Sequence, residues 1–331
     1  MKHDYRNNPD GIEKCPVRIF TGTSWQAAVA DVVREVHLEV HLNGQKMITI
    51  ACTGIHTEEL AVGWLRGEGI IQTAREIESV EVGQEGMSIH VNTRPGLPGL
   101  FDNGGDLNIG DGASAAAVDV RLAAGQPISQ GPEKDGGTII SSSGARSVAS
   151  GINRSGSETR LSGAKPMDSE MGARQGVGEG EGAGRNVAAM KPLAIGAEII
   201  SPARIFTLMQ ELVAAADIHN LSRGTHGAAL ADSSDILVTR EDIGRHNCLD
   251  MLSGYTLLHD IDGADKVLLR TGRVSSEIVH NIWRMGIPVV LSLSVLTALA
   301  IRLAGQAGIT LVWAIRAPSL TVYTHAKRIR E

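Results

Sequence analysis

Between residues 266 and 315 the chain repeats one pattern: a short apolar run, a polar bend, then an amphipathic stretch. Residues 266–269, 287–291 and 309–315 read as strands. Between them, Ile278, Ile282 and Met285 share one helical face, and Leu299 and Leu303 share another. Strand-helix-strand-helix-strand of this kind predicts parallel strands with right-handed crossovers. Every strand-to-helix bend then lies at the carboxyl edge of the sheet, where ligands usually bind. Arg273, Ser275, Ser276, residues 294–297 and Arg316 fall in those bends. Two of the bends open helices, whose free N–H groups attract anions. Ser275 and Thr297 also read as plain helix caps, and the arginines as solvated.

Upstream, Val36-His37-Leu38-Glu39-Val40-His41-Leu42 alternates at period two, Asn43-Gly44 is a hairpin turn, and residues 47–52 return as a second strand. Thr57 is placed to cap a helix running through Glu58, Glu59, Leu60 and Trp64 and ending near Gly67 and Gly69. Residues 32–91 therefore read as a small α/β unit. From 92 to 190 the periodicity stops, and stretches such as Gly176-Val177-Gly178-Glu179-Gly180-Glu181-Gly182 take over. Such composition buries too little apolar surface to offset the cost of ordering, and predicts a poorly ordered insertion. No strand precedes these glycines and no Gly-Lys-Ser/Thr follows them, which argues against a phosphate loop. Residues 191–326 form the third part, led by a helix over 202–215.

Composition narrows the function. Aromatic residues are only 3% of the chain, so aliphatic side chains must fill the core. A net charge of −6 argues against a nucleic-acid partner, which calls for a basic excess. The longest apolar run, residues 287–301, contains Pro288, Ser292 and Ser294 and is too short to span a bilayer. The amino terminus is polar and lacks the apolar core of a secretory signal. Three cysteines (Cys15, Cys52 and Cys248) form no spaced framework. The expectation is a cytoplasmic protein with neither a nucleic-acid nor a membrane partner.

The polar groups gather in two stretches, Thr225-His226-Gly227-Ala228-Ala229 and Arg240-Glu241-Asp242-Ile243-Gly244-Arg245-His246-Asn247. Two histidines, two acids and two arginines between apolar strands suit a ligand with several polar edges. Arg245, Arg273 and Arg316 have the forked geometry that grips phosphate. His226, Asp242 and His246 would shape the pocket or bind the ligand's polar edges. Asp242 and Arg245 also read as a buried structural ion pair.

These stretches resemble the formate dehydrogenase accessory protein (FdhD) family. The likeness runs in order through Glu59-Leu60-Ala61-Val62-Gly63-Trp64-Leu65, Glu68-Gly69-Ile70-Ile71, Glu241-Asp242-Ile243-Gly244-Arg245-His246, Ser275-Ser276-Glu277, Gly286-Ile287-Pro288 and Thr321-Val322-Tyr323-Thr324-His325. It covers most of residues 35–91 and 195–326. The resemblance implies a cytoplasmic, homodimeric sulfurtransferase with a cytidine-deaminase-like carboxyl-terminal domain. Such a protein takes persulfide sulfur from a cysteine desulfurase and passes it to the molybdenum cofactor with guanine dinucleotides, which it holds as substrate. The cofactor then enters formate dehydrogenase. The family's cofactor-binding segment falls on Ala314-Ile315-Arg316-Ala317-Pro318-Ser319, although Trp313 and Ala314 stand where the family usually has Gly and Phe.

One departure touches the chemistry itself. The family's Ser-Ser-Cys-Gly-x-Cys-Gly loop, whose thiolate carries the sulfur, falls on Ser141-Ser142-Ser143-Gly144-Ala145-Arg146-Ser147. Ser143 and Arg146 replace its two cysteines, and neither can hold a persulfide. A binding module that hands over the cofactor without moving sulfur is therefore the rival reading. Cys248, in the first turn of a helix that Asn247 is placed to cap, reads either as a buried small residue or as a substitute thiolate favoured by the helix dipole. Cys52 reads as structural and Cys15 as incidental. A deaminase would pair His-x-Glu with Pro-Cys-x-x-Cys. His37-Leu38-Glu39 and His56-Thr57-Glu58 fit the first element by spacing, but the chain has no Cys-x-x-Cys. His226 and His246 thus read as hydrogen-bonding groups, with no metal held by the protein.

Overall fold

The computed structural model describes residues 11–83, 87–94, 190–194 and 199–330. All of them belong to one of the two units into which the chain divides, residues 1–125 with 182–331. Most of the expected insertion, with the 141–147 loop, lies outside the described residues.

The chain opens with a ribbon where the sequence shows only a ragged start: β1 (Ile12–Phe20) pairs antiparallel with β2 (Trp25–Val33). Pro16 sits in β1, a residue that normally demotes a strand to a sheet edge, and both strands here are edges. β3 (Val36–Leu42) and β4 (Gln45–Cys52) then form the expected hairpin. Asn43 and Gly44 both take positive φ at its turn, 48° and 82°. α1 (Thr57–Gly67) follows, but Thr57 does not cap it. His56 holds the cap position in the left-handed region, so Thr57 becomes the first helical residue and donates its hydroxyl to Glu58 at 3.1 Å. β5 (Ile77–Val82) and β6 (Ser88–Thr93) complete a four-stranded sheet in the order β4-β3-β6-β5.

After α2 (Pro202–Ala214) and α3 (Asp217–Ser222), the chain forms β7 (His226–Ala231), β8 (Ile236–Asp242) and α4 (Arg245–Leu258). The three apolar runs then appear as β9 (Val267–Arg270), β10 (Val289–Ser292) and β11 (Thr310–Arg316), and β12 (Ser319–Val322) follows. α5 (Ser276–Arg284) and α6 (Ala298–Ala307) supply the crossovers. β9, β10 and β11 are parallel, as their spacing predicts. β7 runs antiparallel to β9, β8 to β7 and β12 to β11, giving the order β12-β11-β10-β9-β7-β8. The α/β class read from the sequence is thus what forms. Among the described residues no helix is long and apolar enough to cross a membrane.

Strand alternation divides the six-stranded sheet between two cores. Leu230, Leu268, Val290 and Leu311 face α4, α5 and α6, while Ala229, Leu269, Leu291 and Val312 face Ile205, Leu208 and Leu212 of α2. α4 is buried nearly all round, because its Met251 and Leu257 also join the core of α1 and the four-stranded sheet. The contact between α1 and α4 passes through glycines. A Cβ on Gly63 would stand 1.7 Å from the Asp250 carbonyl oxygen, and one on Gly254 would stand 1.9 Å from that of Glu59.

Candidate functional site

Strand direction collects the polar stretches at one edge. β9, β10 and β11 end there, and β7 begins there because it is antiparallel to β9. His226 pairs with Asp242 in the register of β7 and β8, so β8 ends at the same edge. The bends knit together through backbone bonds: Val274 N–H donates to Val295 at 3.1 Å, Thr297 N–H to Val274 at 3.0 Å, and Leu293 N–H to Arg270 at 3.1 Å.

Asp242 lies beneath this edge rather than facing a ligand. It is fully buried, and Oδ2 accepts from the Thr53 N–H (2.8 Å) and hydroxyl (2.9 Å). Oδ1 accepts from the Gly244 N–H (2.9 Å) and the Asn247 amide (2.6 Å). Burial pushes its pKa up, against the pull of those bonds. The expected Asp242–Arg245 ion pair is not formed. The expected Asn247 cap is not formed either, since Gly244 takes the cap position and Asn247 donates to Asp242 and to the Ala51 carbonyl at 2.8 Å. Glu241 is likewise consumed, accepting from the Ile218 and His219 N–H groups at 3.0 and 2.8 Å and from the Thr225 hydroxyl at 3.0 Å.

Above Asp242 the charge is positive. His226, Arg245 and His246 are half-buried, and Arg270 is 2% exposed. Arg270 donates Nε to the Gly272 carbonyl at 3.0 Å and Nη2 to the Arg245 carbonyl at 3.4 Å. Burial, with Arg245 nearby, lowers its pKa to about 10. Burial, followed by the charges of Arg270 and Arg245, holds His226 below its usual value. His246 Nε2 lies 3.4 Å from Glu277 Oε2, within ion-pair range but outside hydrogen-bond geometry. Arg245 Nε, Arg270 Nη1, His246 Nε2 and Ser275 Oγ are buried and lack a hydrogen-bond partner among the described residues. Buried polar atoms are rarely left so, and these four, on neighbouring bends, point to a missing ligand group, with Glu277 the acid near His246.

The other expected residues spread along the rim. Arg273, Arg316, Ala317, Pro318 and Ser319 are exposed, the last four at the turn between β11 and β12. Ala314 takes a positive φ of 55° within the register shift between Trp313 and Arg316. Ile315 points into the core and is unavailable to a ligand. Thr297 caps α6 by accepting from Ala300 N–H at 3.2 Å, whereas Ser275 holds the cap position of α5 without a capping bond.

Two participants escaped the sequence reading. Arg270 gave a usable signal, a charge closing the apolar strand Val267-Leu268-Leu269. Thr53 gave none, because its bond to Asp242 spans 189 residues. Among the described residues no group of three or more His, Cys, Asp or Glu side chains could hold a metal ion. A cavity of about 600 Å³ lies elsewhere, between the start of α1, α3 and β8. It is lined by Glu58, Asp217 and Glu241, while its Arg240 is paired with Glu59. That lining has the wrong sign for an anion.

Comparison with known proteins settles the family. The sequence model described as the FdhD/NarQ family matches residues 33–104 and 137–330. The chain belongs to the FdhD/NarQ family. It is 27% identical over 329 residues to the sulfur carrier protein FdhD of Bacillus pumilus (strain SAFR-032), covering 98% of this chain and 100% of that protein. It is 30% identical to the protein of that name from Staphylococcus haemolyticus (strain JCSC1435), covering 90% of this chain and 89% of the relative. The fold is similar to that in the crystal structure of a putative formate dehydrogenase accessory protein from Desulfotalea psychrophila. That match has a TM-score of 0.63 at 18% identity and covers 96% and 99% of the two chains.

Proposed function

We propose that this chain is a formate dehydrogenase maturation factor that binds the guanine-dinucleotide molybdenum cofactor as substrate at the carboxyl edge of its six-stranded sheet. The cluster of buried polar atoms without hydrogen-bond partners among the described residues carries this reading. A chain with net charge −6 gathers Arg245, Arg270, Arg273, Arg316 and two histidines at one edge, and a ligand rich in phosphate complements them. Arg273 and Arg316 would hold phosphates from the rim. The relatives' name, sulfur carrier, supports a place in sulfur delivery to that cofactor, and the reading makes the protein a cytoplasmic homodimer serving the dehydrogenase's catalytic subunit.

The same reading favours holding and handing over the cofactor rather than carrying its sulfur. Ser143 and Arg146 have no thiol, and Cys52 and Cys248 are buried. A cysteine desulfurase therefore finds no receptive thiol at either core cysteine. Calorimetry with GDP tests the binding. Arg273→Ala and Arg316→Ala are each expected to weaken affinity about tenfold, the effect of losing roughly 1.4 kcal/mol of charge-assisted bonding. Affinity unchanged in both variants moves the ligand away from this edge.

A further inference from the structure

The four buried polar atoms do not belong to the rim. Arg273 and Arg316 are exposed, whereas Arg270 is 2% exposed and still keeps Nη1 without a partner among the described residues. Nε and Nη2 donate to the carbonyls of Gly272 and Arg245, so the guanidinium is held in place, and Nη1 has no hydrogen-bond partner among the described residues. The surroundings converge on Gly272. A Cβ there would meet Arg245 Cβ at 3.0 Å, Arg270 Nη2 at 3.2 Å and His226 Nδ1 at 3.7 Å. Glycine thus lets two arginines and a histidine crowd together. Asp242 beneath is saturated by four bonds, and Glu277 faces His246.

Burying a guanidinium is costly unless negative charge opposes it, and the pull of the Asp250 carboxylate still leaves Nη1 without a hydrogen-bond partner among the described residues. We propose that Arg270, Arg245, His246 and Ser275 form an inner oxyanion subsite that takes one tetrahedral phosphate group, distinct from the phosphates gripped by the rim arginines. The assignment deepens the nucleotide-binding reading and rests on it only for the source of the phosphate. Arg270 fixes the position of that group, because two of its donors already lock its plane. The shared chemistry is a phosphate, either free or borne by a nucleotide.

Calorimetry with inorganic phosphate, guanosine, GMP and GDP separates the possibilities. Inorganic phosphate is expected to bind the wild-type protein and to compete with GDP. Arg270→Gln is expected to lose phosphate affinity at least tenfold while guanosine binding stays as it was. Because Arg270 is buried, folding of that variant is checked first, and two milder variants test the subsite independently. Ser275→Ala, which removes one donor at a half-exposed position, and Gly272→Ala, which keeps every charge but spreads the cluster, should then show the same selective loss. GDP binding without any phosphate binding, or phosphate binding unchanged in all three variants, overturns the subsite and leaves the nucleotide reading intact. Phosphate binding that depends on Arg270, with GDP no tighter than inorganic phosphate, keeps the subsite and removes the guanine nucleotide. No binding of phosphate, GMP or GDP overturns both.

Discussion

Cys248 lies in the first turn of α4, where the helix dipole favours a thiolate. Its surroundings decide otherwise. It is 1% exposed, its Sγ contacts the His226 and Gly244 carbonyls at 3.3 and 3.4 Å, and burial beside Asp242 pushes its pKa well up. Burial, reinforced by the Asp242 charge, pushes Cys52 up to about 12. A disulfide-exchange reagent added to the native protein is therefore expected to react quickly with one thiol, Cys15, which is partly exposed on β1. All three should react after denaturation; rapid modification of Cys248 in the folded protein would restore it as a sulfur carrier. His226 gives a pH dependence of definite sign. Burial and the two arginines hold its pKa below 6.5, so over the window beneath 6.5 the unfolded chain binds more protons than the folded one. This contribution to stability is full above 6.5 and is lost as the pH falls through the window. Urea denaturation at pH 7.5 and 5.5 should show a smaller loss for His226→Asn than for wild type, and an equal loss would place the titration elsewhere.

Elements whose burial follows from local pattern were legible, and those set by distant partners were not. β9, β10 and β11 announce themselves as apolar runs at sheet-like length, and the parallel order follows from the helices between them. β1 and β2 do not, because Pro16 and the small residues Ala27, Ala28 and Ala30 blur the alternation and the turn lacks an Asn-Gly. Thr57 and Asn247 were natural caps by residue type, yet His56 and Gly244 occupy those positions because the chain enters each helix by a route fixed elsewhere. At the site, His226, Arg245 and His246 were readable as polar groups beside glycines, whereas Asp242 reads the same way and proves to be internal. The glycines at the α1 and α4 crossing support a prediction of their own. Adding a methyl group there forces it against a backbone carbonyl, so Gly63→Ala or Gly254→Ala should cost about 3 kcal/mol, the upper end for overpacking. Chemical denaturation measures it, and a loss under about 1 kcal/mol would mean that the helices separate easily.

Across the whole molecule, the four-stranded and six-stranded sheets meet at α4 and are joined by polar ties as well as apolar packing. Arg240 pairs with Glu59, and Arg66 donates to the Ser253 and Arg284 carbonyls and to the Thr256 hydroxyl. Asp242 and Asn247 reach Thr53 and Ala51 at the end of β4. The positive edge therefore rests on residues contributed by the amino-terminal sheet, although every side chain proposed to touch the ligand comes later in the chain. A protein engineer wishing to move the site to another scaffold could not cut it out at residue 190. The excised piece would leave Asp242 with half its donors gone and a carboxylate stranded under the floor of the site. The bend that aims Arg245 and His246 would lose its anchor before any ligand arrived. Inheritance faces the same constraint, since the first ninety residues and the last hundred and forty must travel together for the pocket to keep its shape.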